Sequence, residues 1–225
     1  MDSQIFRHLL KTYIDSRKLL TLIGIAFPWL LFLGNDFELL ASISANYHSG
    51  MRDVFVGILF AVGTMLVAYK GYSRKEDMAL NVAGAMAIGI AVFPTMCDAS
   101  ASNVAVCSTG AFGGLGETVN NWLHRITALV FFAGIAYVCW FRRNDTLLQL
   151  DDELSRRRFE KGYMLLAIAL VALPLLVATV HFIKPLSGLV FWLEVTSMVV
   201  FSLYWYVKGR EIKQSAIEDV APSKA

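Results

Sequence analysis

Three of the four histidines in this 225-residue chain stand at the ends of long apolar runs, where ionisable groups are otherwise scarce. His48 precedes one run, His124 opens another and His181 closes a third. Asp36, Glu38, Asp53, Asp98, Glu117, Asn120 and Asn121 fall at the same level, and Glu194 lies about two turns into the last run from that side. Three neutral imidazoles and a water make a catalytic zinc arrangement, and a nearby carboxylate can take a proton from that water. The types and placement therefore nominate His48, His124 and His181 as zinc ligands, with Asp53 as general base or partner to a ligand. Ser44 is four residues before His48 and shares its helical face, so its hydroxyl can reach the imidazole or its ligand. Glu194, Asp98 and Arg52 are further polar candidates. A plainer assignment is available for each residue. Histidines at membrane interfaces serve as wetted end groups, Asp53 complements the dipole of the helix it opens, Ser49 caps that helix, and Arg52 pairs locally.

The elements that must position these residues are apolar helices. The chain is 56% hydrophobic and 17% charged, where a soluble domain carries about a quarter charged residues. Crossing a hydrocarbon layer of ~30 Å takes roughly 20 helical residues. Six stretches come close: Leu19–Leu39, Asp53–Tyr69, Met78–Met96, Trp122–Phe141, Gly162–Phe182 and Leu186–Val207. They are continuous, without the ~10-residue alternation of a membrane β-barrel. The expected fold is an all-α integral membrane protein, a six-transmembrane-helix bundle.

Charge orients it. Lys and Arg number four in residues 1–18, three in 70–77, six in 142–161 and four in 208–225, against only Arg52, Arg125 and Lys184 on the other side. The positive-inside rule then places both termini in the cytoplasm and the histidines outside. The cytoplasmic half offers no polar set comparable to the outer one. Small size and compact loops suggest a bacterial inner membrane, and the expected partner is a membrane lipid rather than a nucleic acid.

Three parts are expected along the chain: a basic amphipathic segment at 1–18, suited to lie on the inner leaflet or to lead into helix one as a solvated helix, the transmembrane domain at 19–207, and a cytoplasmic tail at 208–225 that is unstructured after Lys213. The first apolar run reads as a retained helix and not as a cleaved leader. Helix three, with Ala83, Gly84, Ala85, Ala87, Gly89 and Ala91, should be central and tightly packed, because small residues let backbones approach closely in lipid. Pro28 and Pro174 should kink their helices. Cys97 and Cys107 share one external loop and can pair if that compartment is oxidising, while Cys139 reads as packing.

The segment Ser44-Ala45-Asn46-Tyr47-His48, followed by Asp53 at the start of the next helix, resembles the Ser-x-x-aromatic-His pattern of the CREST superfamily of membrane hydrolases. That group includes alkaline ceramidases and the progestin and adiponectin receptors. The resemblance covers about ten residues and implies a zinc-centred helical bundle that hydrolyses lipid amides. Ser44, His48 and Asp53 would match the family's serine, first zinc histidine and aspartate. The family has seven helices and places His-x-x-x-His in its last one. Here the last helix offers Glu194, so His124 and His181 would complete the zinc site. The expected function is metal-dependent hydrolysis of a lipid amide or ester from the external leaflet. The alternatives are a small transporter, channel or sensor with a polar path lined by Glu194, Asp53 and the histidines, or a non-catalytic scaffold.

Overall fold

The computed structural model describes residues 3–98, 107, 109–142, 147, 152–184 and 188–220. Six α-helices account for most of them: α1 Ser3–Gly34, α2 Arg52–Ala68, α3 Arg74–Val92, α4 Glu117–Phe141, α5 Glu153–Ile183 and α6 Leu189–Val220. Two short 3-10 turns, Ser44–His48 and Gly113–Leu115, precede α2 and α4. No strand occurs among the described residues. Each helix packs on its neighbours in sequence, and α6 returns to α1, so the six close into a ring. Four of them, α1, α4, α5 and α6, are long and apolar enough to cross a membrane by length and composition. Large apolar side chains such as Leu22, Leu129, Leu165 and Leu175 are exposed around the outside. This is how a lipid-facing surface differs from a soluble one.

The helix ends depart from the sequence expectation in instructive ways. From Ser3 the basic segment runs without a break into helix one, as the second of its two expected forms has it, except that Arg17 is wholly buried and not solvated. At its other end α1 stops at Gly34, not Leu39, where Asp36 and Phe37 adopt positive φ (54° and 64°) and turn the chain. The last helix runs on to Val220, well past Lys213. Its extension carries Lys208, Glu211 and Ser215 into buried positions. At the start of α5, Asp152 caps the helix by accepting from the backbone N–H of Leu154 and Ser155. A hydrogen bond with the Ser155 side chain, and after it the backbone bonds from Ser155 and Leu154, hold its carboxyl below the usual carboxylate range.

The small residues of α3 pack tightly against α2 and α4, as expected, though α3 is one member of the ring and not its centre. The closest approach is glycine against glycine. A Cβ added at Gly63 would lie 2.7 Å from the Gly84 carbonyl oxygen, and one at Gly84 would lie 2.6 Å from that of Gly63. Neither position has room for a side chain. On the other face of α3, Gly89 meets the Thr127 side chain of α4.

The end of the bundle that carries both described chain ends is far from bland, contrary to the sequence expectation. Arg17, Glu76, Lys208 and Glu211 are all buried there, each at most 2% exposed. Arg17 donates to the Lys208 carbonyl (2.8 Å) and to the Tyr69 hydroxyl, with its guanidinium 4.4 Å from the centre of the Tyr13 ring. Lys208 pairs with Glu211 (3.4 Å), which also accepts from the Tyr163 hydroxyl, and Glu76 accepts from the Tyr72 backbone N–H at 3.0 Å. The set joins α1, α3, α5 and α6 with the residues that follow α2. Ionic groups at this depth survive because each is matched by an opposite charge, a phenol, an aromatic face or, for Glu76, a backbone N–H.

Candidate functional site

The opposite end of the ring is assembled on the extended segment that follows α3. Pro94 cannot continue that helix, and the chain beyond it is strapped down by side chains from one face of α4. Glu117 accepts from the Cys97 N–H (2.8 Å), and Asn121 accepts from the Met96 N–H (3.1 Å) and from the Thr95 hydroxyl (3.3 Å). One turn further along, His124 donates from Nδ1 to the Phe93 carbonyl (2.8 Å). From the other side His48 donates from Nε2 to the Thr95 carbonyl (2.8 Å). A carbonyl only accepts, so these bonds fix the proton on Nε2 of His48 and on Nδ1 of His124. A disulfide between Cys97 and Cys107 closes the loop just beyond the strap.

Glu194 reaches across from α6 to the turn Ser44–His48. Its Oε2 accepts from the Ile43 N–H (2.5 Å) and, at 3.4 Å, lies near the Ser44 N–H; its Oε1 accepts from the Ser44 hydroxyl (2.9 Å). A carboxylate placed on the exposed N–H groups at the start of a turn satisfies donors that have no partner within it. It also sets a serine hydroxyl against a base. The neighbouring amide pair, with Asn35 Nδ2 donating to Asn46 Oδ1, anchors the same turn to the end of α1.

These groups line a cavity of about 810 Å³ between α4, α5, α6 and the segment 40–48. Ser44, His48, Asp98, His124, Arg125 and Glu194 give it a polar end, while Ala133, Ala136, Leu170, Leu175 and Leu193 make most of the remaining wall apolar. Leu129, Val171 and Leu175 on its lining are also among the exposed apolar residues of α4 and α5. The cavity therefore combines a few convergent polar groups with apolar walls at the size of a small-molecule site.

The structure gathers some of the sequence-nominated residues and leaves others apart. Ser44, His48, His124, Glu194 and Asp98 line the one cavity. His181 is exposed near the end of α5 and does not line it, and Asp53 is exposed in the first turn of α2. Arg52 is exposed as well, with its guanidinium 5.0 Å from the centre of the Tyr47 ring. Ser49 Oγ accepts from the Met51 N–H (3.1 Å) and its carbonyl accepts from the Arg52 N–H (3.2 Å), so it shapes the turn into α2 without a side-chain cap on the helix. The two buried histidines are held as metal-binding imidazoles usually are, by a backbone carbonyl on the ring nitrogen turned away from the ligand position. Among the described residues no third ligand joins them. Among the described residues no three His, Cys, Asp or Glu side chains gather where they could hold a metal ion, so the donor set does not fit the three-ligand zinc centre. Sequence reasoning passed over Glu117 and Asn121 as positioning groups, though their spacing with His124 marks one helical face. It named Ser44 and Glu194 without seeing that they meet.

No curated protein and no solved structure matches this chain. A family model described as "Protein of unknown function (DUF998)" matches residues 49–208, well over half of the sequence and most of the ring. The chain belongs to the DUF998 family.

Proposed function

We propose that all six helices cross the membrane with both termini in the cytoplasm, so that the cavity with His48 and His124 lies toward the outside. An even number of helices closing into a ring brings both chain ends to one side, and seventeen of the twenty Lys and Arg residues fall in the sequence segments that this topology assigns to that side. The Cys97–Cys107 disulfide at the other end suits an oxidising compartment.

Within that frame the protein is a hydrolase that takes an amphiphilic lipid amide or ester into the α4–α5–α6 cavity. One observation carries the reading: a serine hydroxyl hydrogen-bonded to a carboxylate, Ser44 to Glu194, stands on the wall of a mostly apolar cavity of about 810 Å³. As Ser44 Oγ adds to the substrate carbonyl carbon, Glu194 takes its proton and later gives it to the departing amine or alcohol; water then releases the acyl group from the serine. Arg125 and Asp98 bracket the polar end, where a head group would sit. No step is drawn through zinc, because among the described residues no three ligands gather to hold it.

The test uses the full-length protein in lipid nanodiscs, with fatty-acid release measured from a single-chain N-acyl amide and from the matching ester. The expected result is release that falls by about 100-fold or more in Ser44→Ala and in Glu194→Gln, while both variants still bind the lipid. Equal release from all three proteins would sink the reading. Binding without release by the wild type would favour an amphiphile carrier, a role that the position of Glu194 within the membrane span also suits.

A further inference from the structure

The bundle holds a second, smaller cavity of about 70 Å³ inside the ring, walled by Phe27, Phe55, Val62, Phe131, Met198 and Phe201 among others. Every residue on its lining is apolar except two, and those two are Ser44 and Glu194. Ser44, Glu194, Ala128 and Phe132 line both this chamber and the outer cavity. They form the partition between a large compartment with a polar end and a narrow one without.

The chemistry of the two compartments differs. Beyond Ser44 and Glu194 at the partition, water entering the inner chamber would find only apolar walls, and voids of that kind stay dry or take apolar guests. Its volume of about 70 Å³ is less than a tenth of the outer cavity's 810 Å³, which suits the apolar end of one chain and not a head group. The methionine and phenylalanine side chains around it can shift to lengthen the slot, methionine most readily.

Resting on the hydrolase reading above, we propose that the substrate is a single-chain acyl amphiphile, with its tail threaded past Phe132 into the inner chamber and its head in the outer cavity. A molecule lying across the partition has the bond between head and tail beside the groups that form it. That places the scissile carbonyl at Ser44 and Glu194. A two-chain lipid meets the same partition with one chain too many, so it binds in the outer cavity without that alignment.

Two photoactivatable N-acyl amides test this on the full-length protein in nanodiscs, one carrying a diazirine at the tail end and the other a diazirine next to the head. The expected result is tail-probe labelling of peptides containing Phe27, Phe55 or Phe201, and head-probe labelling of peptides containing Ala45 or Arg125. Val62→Phe, which fills the inner chamber, should lower the inner tail labelling about tenfold and leave head labelling in place. Tail labelling confined to Leu129, Val171 and Leu175, with head labelling intact, would overturn the threading while the outer-cavity reading stood. Failure of both probes to label either compartment would overturn both.

Discussion

Replacing Glu194 with alanine should release the turn Ser44–His48 while leaving the ring folded. The carboxylate accepts the Ile43 N–H at 2.5 Å and the Ser44 hydroxyl at 2.9 Å. The remaining contact, 3.4 Å from the Ser44 N–H, lies beyond ordinary N–H···O distances and adds little. Hydrogen bonds to a charged acceptor contribute ~1.5–3 kcal/mol each, so two of them set an upper figure of roughly 3–6 kcal/mol. Glu194 borders a cavity large enough for water, and water replaces part of what is lost, leaving roughly 2–3 kcal/mol. At 1.4 kcal/mol per factor of ten, local opening of the turn becomes roughly 30- to 150-fold more frequent. Hydrogen exchange followed by mass spectrometry on a peptide covering residues 40–50 reads this directly. Peptides from α2 and α3 serve as the internal control. Glu194→Gln retains an acceptor for Ile43 and should accelerate exchange less than about tenfold. Exchange of that peptide within threefold of wild type in Glu194→Ala, or equal effects of the two variants, would refute the reasoning.

Two further substitutions probe the framework. Gly84→Leu drives a side chain into the Gly63 carbonyl and should lower thermal stability by several kcal/mol, above the ~1–3 kcal/mol usual for overpacking because the obstacle is backbone. Gly57→Ala, where an added Cβ meets nothing within 4 Å, should leave the melting temperature unchanged or slightly raised. At the other end, Glu211→Ala strands the buried Lys208 ammonium and should cost about 3–5 kcal/mol in denaturant or thermal unfolding. The double change Lys208→Met with Glu211→Leu should recover most of that loss, since removing both charges is far cheaper than removing one. A double variant as unstable as the single one would show that the pair is not what holds these helices.

Long apolar runs announced the helices, because lipid requires each spanning segment to satisfy its own backbone groups and so makes a span legible one segment at a time. The small residues of α3 likewise announced its tight packing, since close approach depends on local composition. Cys97 and Cys107 stood close enough in sequence for their pairing to be considered. What the sequence could not reveal was which polar residues meet. Ser44 and Glu194 are 150 residues apart, and so are a turn after α1 and a helix that returns to it only when the ring closes. Arg17 looked like one basic residue of a leaflet-binding face until the return of α6 placed the Lys208 carbonyl against it.

The grouping of the three histidines shows the same limit. All stood at one level of the bundle by counting residues along each helix, and level was all that counting could supply. The rotation of each helix about its own axis decides whether a side chain faces the ring or the lipid, and that rotation is set by packing against neighbours. It turned His48 and His124 onto the carbonyls of the segment after α3 and left His181 exposed on α5. The sequence by itself determined the helical class and the gathering of basic residues in a few segments. Only the tertiary structure decided that a serine and a glutamate, rather than three imidazoles, converge at the wall of the cavity.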